Sequence, residues 1–322
     1  MITHTLGFPR IGSDRQLKQA LEAFWKGQIG QDQLLDAARQ LRCDHWRLQR
    51  DLGVDCVPVG DFAFYDQMLT MIAMLGAAPA RFHAADPVDL DSYFAMARGV
   101  SGQRQAHAME MTKWFDTNYH YIVPEFAPGQ TFHLACDWLF DQVDEAVAAG
   151  YTVKAVLPGP ITFVQLGKSV VEGFDRWGHL DAIVAVYEKI LARLASRCAW
   201  VQLDEPILVM NLPAEVKARF AGVYARLARA VVKPARLMLA AYFGTLDDNL
   251  PVATALPVDA LHVDLVRGAG QLDALLKVVP KTMSLSLGLV NGRNVWRTDL
   301  DAAIATARKA VDALGPDRLM IS

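Results

Sequence analysis

Two segments of this chain carry side chains whose types and spacing point to chemistry. The first is Arg15-Gln16-Leu17-Lys18, which opens an apolar stripe of helical spacing formed by Leu17, Ala20, Leu21, Phe24 and Trp25. Arg15 and Lys18 lie three apart, on one side of a helix. Cations at a helix N-terminus oppose the macrodipole. An anionic, carboxylate-rich ligand reverses that cost, because it meets free backbone N–H groups, the dipole and both cations together. An ordinary solvated basic pair is the alternative. Ser13-Asp14-Arg15-Gln16 reads as a capping box, with Ser13 as N-cap and Gln16 at N3. The second segment runs from Glu110 to Glu125. It sets Lys113, Asp116, Asn118 and His120 among Trp114, Phe115, Tyr119 and Tyr121, with neither helical nor strand period. So many hydrogen-bonding tips beside so many rings suit a pocket for a flat, polar, anionic ligand.

Other titratable groups are weaker candidates. Asp204 and Glu205 are adjacent, and neighbours on a strand point to opposite faces, so they cannot act on one atom. One is expected to face the mouth of the fold and the other to bind backbone N–H groups or a basic neighbour, so that both are mainly structural. His262 and Asp264 lie two apart on a strand and share a face, but two ligands make no zinc site. Cys43-Asp44-His45 falls in a helical pattern, where residues two apart do not face each other. Lone cysteines are more often buried small hydrophobes than nucleophiles. Neither a phosphate loop nor a dinucleotide motif is present.

The elements that must position these groups alternate in type. Strands are predicted at Ile2–Leu6, Asp55–Val59, Met109–Trp114, Val153–Leu157, Trp200–Leu203, Arg236–Ala241, Leu261–Leu265, Met283–Leu289 and Arg318–Ile321. Most read as continuous apolar runs, as in parallel strands buried on both faces. Helices are predicted at Asp14–Lys26, Asp32–Leu52, Leu139–Ala149, Asp181–Arg197, Ala214–Ala230 and Leu300–Leu314. This order implies an α/β fold, a (β/α)₈ TIM-type barrel formed as a single domain over residues 1–322, with one of the nine strand candidates outside it. Polar residues follow several strands: Asp61, Pro158-Gly-Pro-Ile-Thr162, Asp204-Glu205-Pro206 and Asn291-Gly-Arg-Asn294. In a barrel these share the C-terminal face, where active sites are built.

Composition narrows the class. The 322 residues are 52% hydrophobic and 21% charged, enough to bury a large core, and the net charge of −3 gives no general attraction for nucleic acid or anionic membrane. No apolar window spans a bilayer, and the N-terminus lacks a signal-peptide pattern. Four scattered cysteines without a C-x-x-C pair fit a reduced, cytoplasmic protein.

Several blocks resemble the N-terminal half of the cobalamin-independent methionine synthase family, in family order from end to end. They are His4-Thr-Leu-Gly-Phe-Pro-Arg10-Ile-Gly12 with Arg15-Gln-Leu-Lys18, Pro58-Val-Gly-Asp-Phe62, Glu110-Met-Thr-Lys113-Trp-Phe-Asp-Thr-Asn118-Tyr-His-Tyr121, Gly159-Pro-Ile-Thr162, Gln202-Leu-Asp-Glu-Pro206, His262-Val-Asp-Leu265 and Asn291-Gly-Arg-Asn-Val-Trp296. The resemblance implies one of two face-to-face (β/α)₈ barrels. The C-terminal barrel, absent from this chain, holds zinc, homocysteine and most of the folate site. The N-terminal barrel supplies the interface and contacts the polyglutamate tail of 5-methyltetrahydropteroyl polyglutamate.

By the same resemblance those contacts map onto Arg15, Gln16, Leu17, Lys18 and Lys113, with Asn118 a further candidate. Gln16 stands where the family usually has Glu. No catalytic residue, cofactor or metal ligand is expected in this chain, since nothing matches the family's zinc motif. The chain stops at Ser322 in or just after an apolar strand, so a piece of a longer protein is expected. Two rival readings stand beside this one. The first is a stand-alone, non-catalytic folate-binding or assembly protein that kept the barrel. The second is an independent barrel enzyme using Asp204, Glu205, His262 and Asp264.

Overall fold

The computed structural model describes residues 1–102 and 105–322. In chain order the strands are β1 (Ile2–Thr3), β2 (Val57–Val59), β3 (Met111–Lys113), β4 (His120–Ile122), β5 (Glu125–Phe126), β6 (Val153–Pro158), β7 (Lys168–Ser169), β8 (Trp200–Asp204), β9 (Arg236–Ala240), β10 (Ala260–Asp264), β11 (Ser284–Gly288) and β12 (Leu319–Ile321). The helices are α1 (Gln16–Trp25), α2 (Gln31–Asp51), α3 (Gln67–Met74), α4 (Leu90–Arg98), α5 (Trp138–Ala148), α6 (Pro160–Gln165), α7 (Leu180–Ala195), α8 (Ala214–Ala230), α9 (Leu250–Ala255), α10 (Leu272–Val278) and α11 (Leu300–Leu314).

Eight strands form one parallel sheet in the order β1-β12-β11-β10-β9-β8-β6-β2. A parallel bridge between His4 and Cys56 joins its two ends and closes the barrel. The expected (β/α)₈ architecture is therefore present. The ninth candidate, Met109–Trp114, lies outside it: β3 pairs antiparallel with β4, and its side chains are exposed.

Two expectations need correcting. The strands are not uniformly apolar. Outward residues such as Val201, Leu203, Leu239, Val263 and Leu287 are fully buried under the helices. Inward positions differ by layer. Ile2, Cys56, Trp200, Met238, Ala260 and Met320 make an apolar floor. Above it sit His4, Lys154, Gln202, His262 and Ser286, all buried and polar. The second correction is to the start of α1. Its N-cap is Arg15, with φ +59° in the left-handed region, and no side chain caps it. Ser13 Oγ donates instead to Asp14 Oδ2, while Gln16 Oε1 reaches back to the Asp14 N–H at 3.0 Å. Half of the expected capping box forms, displaced by one residue.

Candidate functional site

The segment Glu110–Glu125 forms the β3–β4 hairpin, and its tip is tied to loops at the C-terminal mouth of the barrel. Asp116 pairs with Arg267 after β10 at 2.5 Å, and its carbonyl accepts from Arg293 after β11 at 3.2 Å. Phe115 packs on Phe243 after β9, with ring centroids 5.4 Å apart. Both phenylalanines have positive φ, 51° and 82°. Such backbone strain in non-glycine residues persists only where surrounding contacts enforce it. On the other side, the Arg10 guanidinium lies 5.7 Å from the Tyr119 ring centroid and donates to the Ala63 carbonyl at 2.9 Å. Arg10 belongs to the loop between β1 and α1. The two segments singled out by sequence are thus joined through Arg10 and Tyr119.

Each predicted tail residue can now be placed. Arg15 and Lys18 are exposed at the start of α1, and Lys113 is exposed on β3. Lys18 Nζ lies 3.7 Å from Glu22 Oε1, so this cation already has a partner one turn on. Leu17 is fully buried, and its N–H donates to the Ile11 carbonyl at 3.1 Å. Gln19 N donates to Arg15 O, which leaves the Gln16 and Lys18 amides without a backbone acceptor among the described residues. Asn118 is exposed in the hairpin turn, and its carbonyl is 3.1 Å from His120 Nδ1.

The barrel interior holds a continuous polar chain. Lys154 Nζ is 2.7 Å from His4 Nδ1, 2.6 Å from the Thr5 carbonyl and 2.5 Å from Gln202 Oε1. His4 Nε2 meets Ser286 Oγ at 2.7 Å, and Ser286 Oγ meets His262 Nδ1 at 2.8 Å. Gln202 Nε2 donates to Asp204 Oδ1 at 2.7 Å, and Tyr242 OH donates to Asp204 Oδ2 at 2.9 Å. Burial, opposed by the Asp204 charge, lowers Lys154 to about 7. Burial and then the Lys154 charge hold His262 down to about 3, so its imidazole is neutral at neutral pH. Burial raises Asp204 to about 6.

Glu205 points the other way, into the helix layer, as expected of neighbours on a strand. It accepts from Ile161 N at 3.2 Å, Thr162 N at 2.7 Å, Thr162 Oγ1 at 2.5 Å and Tyr224 OH at 3.2 Å. Its Cδ lies 2.2 Å from where a Cβ on Gly159 would stand, so the close approach requires glycine there. Asp264 accepts from the amides of Phe243, Val266 and Arg267. Asp204, Glu205, His262 and Asp264 therefore do not converge on one atom. Among the described residues no three His, Cys, Asp or Glu side chains are grouped to hold a metal ion. The four cysteines are free, and burial pushes the Cys136 and Cys198 thiols up to about 12, against nucleophilic use. Lys154, Tyr242 and Arg267 were not among the sequence candidates, and Arg10 and Arg293 stood there only inside longer motifs, whereas Asp116 was one of the polar tips singled out in Glu110–Glu125. Lys154, a lysine inside an apolar run, is the one a strand period would have flagged.

Comparison with known proteins follows this geometry. The sequence matches the family described as "Cobalamin-independent synthase, N-terminal domain" over residues 2–314. A 5-methyltetrahydropteroyltriglutamate–homocysteine methyltransferase of Syntrophotalea carbinolica is 60% identical over 323 residues, covering 100% of this chain and 42% of the relative. A protein of the same name from Nitratidesulfovibrio vulgaris strain Miyazaki F is 50% identical, covering 100% of this chain and 44% of the relative. The chain spans less than half the length of these relatives. Among solved structures, a B12-independent methionine synthase from Shewanella sp. W3-18-1 matches with a TM-score of 0.68 at 14% identity, covering 91% of this chain and 82% of that one. A methyltransferase from Methanosarcina mazei gives 0.50 at 14% identity, covering 80% and 85%. At such identities the likeness shows the fold. No helix of the described residues is long and apolar enough to cross a membrane.

Proposed function

Because this chain belongs to the family of N-terminal domains of cobalamin-independent methionine synthases, we propose that it holds the polyglutamate tail of 5-methyltetrahydrofolate for a cytoplasmic methyltransferase. In that reading a C-terminal barrel docks on it, holds zinc and homocysteine, and transfers the methyl group to make methionine. The observation that carries the reading is the Arg10–Tyr119 contact, 5.7 Å to the ring centroid. It links the segment bearing Arg15 and Lys18 to the hairpin bearing Lys113 and Asn118. A flexible tail of carboxylates needs such a set of exposed cations and open amides along one surface. The relatives named above are methyltransferases, which favours this reading over the stand-alone folate-binding or assembly protein.

The tail test is made in the full-length enzyme. Each added γ-linked glutamate brings one carboxylate while the pterin is unchanged, so Arg15, Lys18 and Lys113 discriminate by tail length. Exposed charge pairs contribute about 0.2–1 kcal/mol each. Two or three together give on the order of tenfold preference for a longer tail. Lys113→Ala and Arg15→Ala raise KM for the triglutamate and leave kcat nearly unchanged. Lys18→Ala has the smaller effect, because Glu22 already competes for the ammonium. Salt weakens the preference, since exposed charges are screened over about 8–10 Å. Variants that still prefer the long tail as strongly as the parent, at low and high salt, would reduce the patch to solvated surface.

Activity of the isolated chain is a separate test. It should turn over no homocysteine, because its buried carboxylates and imidazoles are committed to internal hydrogen bonds. Methyl transfer by the pure chain at a rate scaling with its concentration would overturn that assignment.

A further inference from the structure

A groove of about 960 Å³ opens between the end of α1, helix α4 and the segment that follows α4. That volume falls within the roughly 300–1,000 Å³ of small-molecule sites. Neither the tail residues nor the interior polar chain lines it. It sits at the opposite end of α1 from Arg15 and Lys18, and its Trp25 is about 10 Å along the helix axis from Lys18. Its walls are tied together. Val100 and Ala106 exchange both backbone hydrogen bonds, at 2.8 and 3.0 Å, and the Met109 N–H donates to the Met96 carbonyl at 2.9 Å. The segment after α4 is thereby folded back on that helix. Phe24 and Trp25 of α1 meet Phe94 of α4 with ring centroids 5.8 and 5.5 Å apart.

Two arginines stack on rings of this groove, and their remaining donors are used differently. The Arg81 guanidinium lies 4.6 Å from the Phe82 ring centroid and commits every edge: both terminal nitrogens donate to Glu125, and Nε donates to the His107 carbonyl at 3.3 Å. The Arg98 guanidinium lies 4.1 Å from the Trp25 ring centroid and has neither a hydrogen-bond acceptor nor a carboxylate partner among the described residues. The ring face holds a cation in place without neutralising it. The N–H donors lie in the guanidinium plane, so stacking leaves them open for a planar, bidentate acceptor. Trp25 Nε1 is buried and also lacks an acceptor among the described residues. Asp91 and Arg98 share one face of α4, seven residues and about 10 Å apart, and form no ion pair among the described residues. The dipole of α4 favours an arginine in its last turn. That accounts for the charge but not for the aromatic platform or the open groove beside it.

We propose that this groove binds a small aromatic monocarboxylate. Its carboxylate takes two in-plane N–H donors of Arg98, and its ring lies against Phe24, Trp25 and Phe94. Charge sets the class. One unpartnered cation suits one carboxylate, and Asp91 on the same helix face disfavours a second negative charge, hence a phosphate. The rings select a flat apolar body over an aliphatic one. The site is separate from the tail residues, so its failure would leave the tail reading untouched, and the failure of that reading would leave this site untouched.

The test titrates 2-naphthoate into the full-length protein, followed by calorimetry and by tryptophan fluorescence. One site per chain with a Kd below about 1 mM is expected. Arg98 is exposed, so Arg98→Met should keep the parent's melting temperature while weakening the probe about tenfold or more. Arg98→Lys keeps the charge but loses the fork, and its loss should be intermediate. Trp25→Phe should remove the fluorescence change while calorimetric binding persists. 2-Naphthamide, of the same shape without the charge, should bind about tenfold more weakly, and 2-naphthyl phosphate more weakly than the carboxylate. Excess triglutamate substrate should leave the affinity for 2-naphthoate unchanged. The proposal is overturned by no saturable binding up to the solubility limit, or by equal affinity in folded Arg98→Met. It is overturned equally by a fluorescence change that survives Trp25→Phe, or by an amide or phosphate that binds as tightly as the carboxylate. Displacement by the triglutamate overturns it too, because the probe then occupies the folate site.

Discussion

Replacing Lys154 by Met should destabilise the protein by about 3 kcal/mol at neutral pH, measured by urea denaturation with an unchanged m-value. The side chains are of similar length, so the loss is not one of volume. It comes from the three acceptors around Nζ, which are His4 Nδ1, the Thr5 carbonyl and Gln202 Oε1. It also comes from Asp204, whose buried carboxylate loses the nearby cation. The loss depends on pH in a defined direction. Burial lowers Lys154 from 10.5 to about 7. Between those values the unfolded chain carries a proton on this lysine that the folded chain lacks, so stability rises with pH there. Below about pH 7 both states are protonated, and the cost of burying the cation is present in full. The advantage of the parent over Lys154→Met should thus be smaller at about pH 6 than at about pH 9.5. Asp204→Asn in the same background should recover part of the loss, with a coupling of about 1–3 kcal/mol. In the full-length enzyme Asp204→Asn should lower the melting temperature more than kcat. A large fall in kcat at constant melting temperature would show that Asp204 acts on substrate.

Why that network escaped a reading of the sequence is instructive. The strand runs are rich in Val, Leu and Ala, and they look buried on both faces. Their inward positions nevertheless alternate: Trp200, Gln202 and Asp204 on β8, His262 and Asp264 on β10, Ser284 and Ser286 on β11. A period of two is legible there once the barrel is assumed. Before that, one lysine in Val153-Lys-Ala-Val-Leu157 looks like an exception. The barrel itself was legible because the helix–strand order survives errors in boundaries. Helix α3 was not. Its sequence is apolar nearly all round, and Met68, Leu69, Met71, Ile72, Ala73 and Met74 are all buried, so it has no polar face to set a period. The start of α1 was misplaced because Ser13 and Gln16 fit a local pattern, while Arg15 in a left-handed conformation does not. For the candidate site, Arg15, Lys18, Lys113 and Asn118 are exposed as a ligand contact requires. Leu17 is not, so any contact it makes is through its main chain. Arg10, the residue that joins the two segments, sat in a quoted motif but had no visible partner. Tyr119 is more than a hundred residues away in sequence, and no local pattern encodes that contact.

Glu205→Ala should cost about 3–5 kcal/mol, the largest loss expected from any single carboxylate here. Four donors from two helices and their approaches converge on this side chain: the amides of Ile161 and Thr162, the Thr162 hydroxyl and the Tyr224 hydroxyl. All are buried, so truncation leaves them without partners in a space closed to water. Burial raises the Glu205 carboxyl to about 7, against the lowering by those same donors. Its folded value thus lies above its ordinary 4.5, and ionisation costs stability as pH rises between the two. The loss in Glu205→Ala should therefore be no greater at pH 8 than at pH 5, opposite to the behaviour of a surface salt bridge. Glu205→Gln keeps shape and one acceptor oxygen but turns an N–H₂ toward donors, so an intermediate loss of about 1–3 kcal/mol is expected. Gly159→Ala should resemble Glu205→Ala, because a Cβ there would lie 2.2 Å from the Glu205 carboxyl carbon and displace it. These effects are structural. In the full-length enzyme, at a temperature well below the transition, Glu205→Ala should retain kcat per folded molecule. A stability loss under about 1 kcal/mol, together with a collapse of kcat, would mean that Glu205 serves the reaction and not the junction between β8, α6 and α8.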